Sequence, residues 1–204
     1  MEDAHRAAET FDSIAEHFDK TRNRPWKEVE DFLEETSGRT IDIGCGNGRH
    51  SEIAIKKDHE VVCLDASYNL LKIAREKLMK KGDLVRSGIK KMPFKDDSFD
   101  NAIYIAAIHH LKKGRFDSLL ETRRILKSGG RLIVSSWARE LDRWDLDKDE
   151  QDVMVPWTRE DGKIIERFYH LYRLDELKEE VKKADFKIID FFHSKGNNYV
   201  IAKK

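Results

Sequence analysis

The spacing of apolar positions changes near residue 40. Before it, Ala7, Phe11, Ile14, Ala15 and Phe18 recur along one face of a helix. Pro25 fits the first turn of a second helix, which carries Trp26, Val29, Phe32 and Leu33 on one side. From Thr40 onward, short apolar runs alternate with amphipathic stretches. Ile41-Asp42-Ile43 reads as a first strand, Glu60 to Asp65 as a second, Leu84-Val85-Arg86 as a third, Phe99 to Ile105 as a fourth and Arg131 to Trp137 as a fifth. Helices are predicted up to about Lys57, after Ser67 as a cap, and over Phe116 to Lys127, where Ser128-Gly129-Gly130 ends the last of them. Such alternation predicts an α/β fold with a mostly parallel sheet covered by helices on both faces. Residues 138–168 break the rhythm and read as an inserted loop, with an acidic, Trp-bearing run from Glu140 to Asp152. Leu174, Leu177, Val181 and Ala184 then mark a helix. Phe186 to Phe192 and Tyr199 to Ala202 close the chain as a hairpin.

A length of 204 residues fits one domain. Residues 1–37 precede the first strand and are free to lie across the mouth of a site as a helical lid, or to pack as a plain extension. Lysine plus arginine equals aspartate plus glutamate, 39 each, so no net field draws the chain onto nucleic acid. RNA binding would rest on local runs such as Lys77 to Lys81, Lys90-Lys91, and Lys112, Lys113 and Arg115. Cys45 and Cys63 form no C-x-x-C pair, which suggests neither a metal site nor a disulfide. No apolar run approaches 18 residues and no signal-like start is seen, so the expectation is a soluble, cytoplasmic protein without a membrane partner.

The chemistry concentrates after the first strand, in Asp42-Ile43-Gly44-Cys45-Gly46-Asn47-Gly48. Glycines allow left-handed turns and close approach of a ligand, and the next helix offers free N–H groups. A dinucleotide fingerprint would need glycine at position 49, where Arg49 stands, so the spacing favours S-adenosylmethionine (SAM) over a nicotinamide or over an ordinary strand-to-helix turn that binds no ligand. Asp65 ends the second strand, beside Ala66, where a carboxylate can accept both ribose hydroxyls or cap the next helix. Asp42 lies inside an apolar strand and needs a partner, either a cationic ligand group or backbone N–H groups.

With Met92-Pro93-Phe94 and Asp96 to Asp100, these elements resemble the class I SAM-dependent methyltransferases over roughly residues 40–137. The resemblance implies a Rossmann-like fold, a seven-stranded sheet with one antiparallel strand, and SAM as cofactor. The family often places an acid for adenine where Gly88 stands here, which leaves backbone groups near Ile89 for that contact.

A narrower resemblance covers nearly the whole chain. Ile14-Ala15-Glu16-His17-Phe18, Thr21-Arg22, Arg24-Pro25-Trp26, Ile105-Ala106-Ala107-Ile108-His109-His110-Leu111, Arg124-Ile125-Leu126, Val155-Pro156-Trp157 and Tyr169-His170-Leu171-Tyr172 are similar to the wobble-uridine tRNA carboxymethyl methyltransferases of the AlkB homologue 8 type. Phe11 stands where that family commonly has tyrosine. The resemblance implies transfer of a methyl group to a carboxylate on an anticodon uridine. An ionised carboxylate needs alignment and no general base. Arg24, His109 and His110 are the candidates to align it, or else a surface ion pair and core or capping histidines. Phe18 is a candidate wall of the cofactor site, and Trp137 and Trp157 are candidate contacts for the uridine. Lys112, Lys113 and Arg115 are placed to meet phosphates. The same resemblance implies a small zinc-binding activator subunit. An edge strand at Leu84, Val85 and Arg86 would offer it unpaired backbone groups, or would be a protected edge as in monomers. A small-molecule methyltransferase and a non-catalytic SAM-fold subunit are the rival readings.

Overall fold

The computed structural model describes residues 2–79, 81–140, 147 and 150–204, with backbone alone for residues 2–6. Lys80 of the basic run and, in the acidic Trp-bearing stretch, residues 141–146 and 148–149 lie outside the described residues.

Seven strands form one sheet. They are β1 (Arg39–Ile43), β2 (Glu60–Asp65), β3 (Asp83–Arg86), β4 (Phe99–Ile105), β5 (Leu126–Trp137), and the terminal pair that we label β8 (Lys187–Ser194) and β9 (Asn197–Lys203). Their order is β3-β2-β1-β4-β5-β9-β8. All central pairs are parallel, and β9 enters antiparallel between β5 and β8. This is the mostly parallel sheet that the alternation of elements predicts, in the Rossmann-like arrangement that the resemblance implies. Side chains alternate across each strand, so the two faces gather different apolar sets. Ile41, Ile43, Val62, Leu64, Tyr104 and Val134 belong to one buried cluster, shared with α5 (Arg115–Ile125) and α6 (Leu174–Lys183). Val61, Cys63, Ile103, Ile105 and Ile133 belong to the other, covered by α2 (Lys27–Glu34), α3 (Arg49–Lys56) and α4 (Tyr68–Lys77). Among the described residues no helix is long and apolar enough to cross a membrane.

Three boundaries differ from the sequence reading. Helix α1 spans Glu2–Thr21, because polar turns flank the apolar stripe and periodicity does not register them. Pro25 lies outside α2, whose N-cap is Trp26 in extended backbone (φ −93°, ψ 137°) with its ring against His50 and Tyr199. Helix α5 ends at Ile125, since Leu126 already pairs with Phe99, and the glycines that were read as its stop lie within β5. A Cβ on Gly130 would sit 3.0 Å from the Asp100 carbonyl oxygen, so the strand crossing needs glycine there.

The stretch 138–168 contains regular structure. Strands β6 (Asp152–Thr158) and β7 (Ile164–His170) pair antiparallel as a separate two-stranded sheet. Pro156 argues against a strand in sequence, but a two-stranded sheet has open edges that tolerate it. At the hairpin base, the two ring nitrogens of His170 lie within hydrogen-bond distance of Asp152 (2.6 Å) and Glu176 (3.0 Å), bolting β7 to β6 and α6.

Helix α1 is tied down along its length. Asp12 Oδ1 accepts from the Ser67 hydroxyl (2.5 Å) and the Asn69 backbone N–H (2.9 Å) at the start of α4. Asp19 accepts from Lys77 and from Asn47 of the glycine turn, both at 2.7 Å. Trp157 Nε1 donates to His17 (3.1 Å), and Lys20 meets Glu160, so α1 also touches the hairpin.

Candidate active site

Each strand of a parallel sheet ends its run of hydrogen bonds at the carboxyl edge, and the loops there can diverge around a ligand. Here they enclose about 1140 Å³ of empty space, part of it open to solvent. The floor is the turn after β1. Gly44, Gly46 and Gly48 all have left-handed backbone, with φ of +70°, +57° and +76°. Gly44 and Cys45 donate to the Leu64 carbonyl (2.7 and 3.0 Å), which pins the turn to β2. Gly44, Cys45 and Gly46 line the cavity. Gly48 does not; it caps α3, where a Cβ would lie 3.1 Å from that of Ala74.

Asp65 lines the cavity beside Ala66. Its carboxylate accepts from Gly46 N–H and Ser67 N–H, each at 2.8 Å. Burial raises its pKa and these bonds lower it. Asp42 is placed differently. It is absent from the cavity wall, and its Oδ2 accepts from the Ser51 hydroxyl (2.7 Å) rather than waiting for a cationic ligand. Burial pushes its pKa up to about 6.

That value has a consequence for stability. A carboxyl whose folded pKa is raised contributes fully below its unfolded pKa, and the contribution is lost as pH rises through about 6. Asp42→Asn removes the buried charge. It is expected to stabilise the fold by about 2–3 kcal/mol at pH 8 and by almost nothing near pH 4. Thermal melts of both proteins across that range read the difference.

The opposite wall follows β4. Ala106 takes left-handed backbone (φ 51°), held by donation from its N–H to Ser135 (3.1 Å), and turns the chain into a 3-10 turn, Ile108–His110. A non-glycine residue there carries strain of the kind that gathers at functional sites. The turn presents both histidines to the cavity. His109 Nδ1 accepts from the Trp137 N–H (3.1 Å), and its ring stacks on Tyr169 at 4.8 Å. His110 Nδ1 donates to the Phe168 carbonyl (3.1 Å). Burial lowers both pKa values, His109 well below its ordinary value and His110 to about 3, so both rings are neutral at pH 7.

Several expected residues stand elsewhere. Arg24 is exposed and off the cavity wall. Trp157 is buried and does not line the cavity; its ring packs against Arg167 (4.7 Å) and Arg22 (5.4 Å). Arg115 donates to the Leu111 and Lys112 carbonyls, tying its own turn, while Lys112 and Lys113 are exposed. Trp137, Phe18 and Ile89 do line the cavity.

The cations that sequence reading missed are Arg22, Arg49 and Arg167. Arg22 sits two residues before the one chosen, and Arg49 follows the glycine turn directly. Arg167 shares a strand face with Tyr169, a position visible only once β7 is known to be a strand. Its Nη1 donates to the Tyr169 hydroxyl (2.7 Å), and its Nε is buried with no hydrogen-bond partner. Among the described residues Arg167 makes no ion pair, and the neighbouring Glu166 carboxylate acts on it only at longer range. Burial lowers its pKa, so an anionic ligand in the cavity would favour the charged guanidinium.

These groups fit SAM and an anionic acceptor together. Arg22 and Arg49 are near the glycine turn for the carboxylate of a methionine moiety. Asp65 would be the group for ribose hydroxyls, and Ala66, Leu70 and Ile89 would form an apolar wall for adenine. Gly88 lines that wall without an acid. Among the described residues there is no cluster of three or more metal-ligating side chains.

Known proteins bear on this geometry. A family model described as a methyltransferase domain matches residues 41–134. A tRNA (carboxymethyluridine(34)-5-O)-methyltransferase of Schizosaccharomyces pombe is 32% identical over 222 aligned positions, covering 96% of this chain and 95% of that protein. A SAM-dependent methyltransferase from Methanosarcina mazei superposes with a TM-score of 0.73 at 19% identity, over 89% of this chain and 98% of that one. A putative methyltransferase solved in complex with the Haloferax volcanii Trm112 methyltransferase activator gives 0.73 at 17% identity, over 97% and 96%. The last two likenesses are of fold.

Proposed function

Because the chain belongs to the SAM-dependent methyltransferases, in the family of the tRNA carboxymethyluridine methyltransferases, we propose that it esterifies the carboxylate of 5-carboxymethyluridine, or a related uridine, at the anticodon wobble position of tRNA. The observation that carries this reading is Arg167, a buried guanidinium with an unpartnered Nε and no ion pair among the described residues, lining the cavity beside His109, His110 and Tyr169. A carboxylate acceptor supplies a close counter-charge.

Bound SAM supplies an electrophilic methyl group on a sulfonium. The chain's own residues then have to hold one carboxylate oxygen in line with it at roughly 3–3.5 Å. Arg167 binds the carboxylate, and its planar fork suits two oxygens. His109, accepting at Nδ1, carries its hydrogen at Nε2 and can donate it to the acceptor base. His110 carries its hydrogen at Nδ1 and is an acceptor at Nε2, so the two histidines, both candidates to align the acceptor, do not act alike. Tyr169 and Trp137, tilted at 30° with ring centroids 4.4 Å apart, give a flat surface for a base. Neutral histidines and an ionised acceptor need no deprotonation step. The single-turnover rate is therefore expected to be flat between pH 6 and 8; a steep rise would indicate an amine or hydroxyl acceptor instead.

Asp65→Ala is expected to weaken SAM binding by about 1.5–3 kcal/mol, the range for hydrogen bonds to a charged group, as read by calorimetry. For the activator subunit, β3 is an edge strand with half-buried Leu84 and Val85, and Arg86 beside the exposed Tyr68. Co-expression with the host's small zinc protein, then size-exclusion chromatography of wild type and Val85→Pro, tests that docking. The function itself is tested by methyl transfer from labelled SAM to bulk tRNA, with the partner present, followed by nucleoside analysis. Label in a carboxymethyluridine ester supports the reading, and its absence overturns it.

A further inference from the structure

The two adjacent histidines share a residue type but not a hydrogen-bonding role. The Trp137 N–H can only donate, so His109 Nδ1 accepts and the neutral ring carries its hydrogen at Nε2. The Phe168 carbonyl can only accept, so His110 Nδ1 carries the hydrogen and Nε2 keeps a lone pair. Both residues line the cavity, and neither Nε2 is a sealed atom lacking a partner, as the Nε2 of His50 is. The wall therefore offers one donor and one acceptor side by side, on rings whose centroids are 4.4 Å apart.

A uracil carrying a carboxymethyl group at C5 displays, in order along one edge, a carboxylate, the O4 acceptor and the N3–H donor. The wall has the complementary set in Arg167, His109 Nε2–H and the His110 Nε2 lone pair. Cytosine carries an amino group in place of O4 and a lone pair at N3, so it opposes both histidines. We propose that His109 and His110 read the base itself, His109 donating to O4 and His110 accepting from N3–H, so that the site selects a uracil edge as well as a carboxylate. This rests on the carboxymethyluridine reading above. Burial supports it, because both rings stay neutral and keep these tautomers at working pH.

The test uses anticodon stem-loops carrying 5-carboxymethyluridine or its N3-methyl derivative, with the activator subunit present. Single-turnover transfer is measured, along with stem-loop affinity by fluorescence anisotropy. A site built around a hydrogen bond rejects an analogue that lacks it, so wild type is expected to prefer the unmethylated base by about 10²-fold or more in transfer. His110→Ala should be slower on the good substrate and should lose most of that preference, while binding SAM as wild type does. If wild type treats both stem-loops alike, base reading is overturned while the carboxymethyluridine reading stands. If it methylates neither, the parent reading fails and this one with it. If His110→Ala keeps the full preference, another group reads N3 and the assignment is wrong. The wild-type comparison is informative even if the variant does not fold.

Discussion

Arg167→Met should lower methyl transfer to tRNA by about 10²–10³-fold, the scale for losing one preorganised group that acts on the reacting centre. SAM affinity should change little, because Arg22 and Arg49 remain beside the glycine turn. The substitution removes a buried charge, which favours the fold, but also the guanidinium that lies over Trp157 and donates to the Tyr169 hydroxyl, so the net change in stability is expected to be small. Arg167→Lys keeps the charge but loses the planar fork, and should recover part of the rate only. Single-turnover transfer and calorimetric SAM titration of the same preparations separate the two effects. A normal rate in Arg167→Met would remove Arg167 from the acceptor site and leave the carboxylate assignment without support.

Gly44→Ala should damage the other half of the site. The backbone there has φ +70°, and the new methyl would lie 2.5 Å from the Cβ of Ala107. Left-handed backbone costs a non-glycine residue roughly 1–2 kcal/mol, and overpacking typically adds about 1–3 more. At this chain length each kcal/mol moves the midpoint by about 2–4 °C, so the melting temperature should fall by roughly 5–15 °C. Relief can come only by moving the turn or the segment that bears Ala106 and Ala107, and both line the cavity. SAM affinity should therefore fall with stability. A variant that melts like wild type and binds SAM normally would show that the turn and the β4 loop are less closely fitted than this contact requires.

The parts of the site legible in sequence are those fixed by local backbone. Glycine spacing announced the turn, the acid at the end of β2 announced Asp65, and the step from an apolar strand into Ile108-His109-His110 placed the histidines at the sheet edge. What stayed hidden depends on long-range pairing. Arg24 and Arg22 are indistinguishable in a coil, and only the docking of α1 against Trp157 brings Arg22 to the cavity. Asp42 looked like a ligand because its partner, Ser51, lies on the next helix, nine positions on. Arg167 and Tyr169 carry no motif chemistry until β7 is known to pair with β6, which Pro156 obscured. The histidines' opposite roles depend on the Trp137 N–H and the Phe168 carbonyl, 28 and 58 positions away.

The hairpin of β6 and β7 is hydrogen-bonded as its own sheet, outside the span that matches the methyltransferase domain model. On the proposed reading, donor recognition and acceptor recognition reside largely on different pieces of chain, joined through the histidine turn. Variation can accumulate in one without disturbing the other. A new acceptor can be acquired by rewriting a few alternate positions of β7 around residues 167 and 169, while the glycine turn and Asp65 keep their sequence. The hairpin is therefore the natural cassette for transplanting specificity between enzymes of this fold.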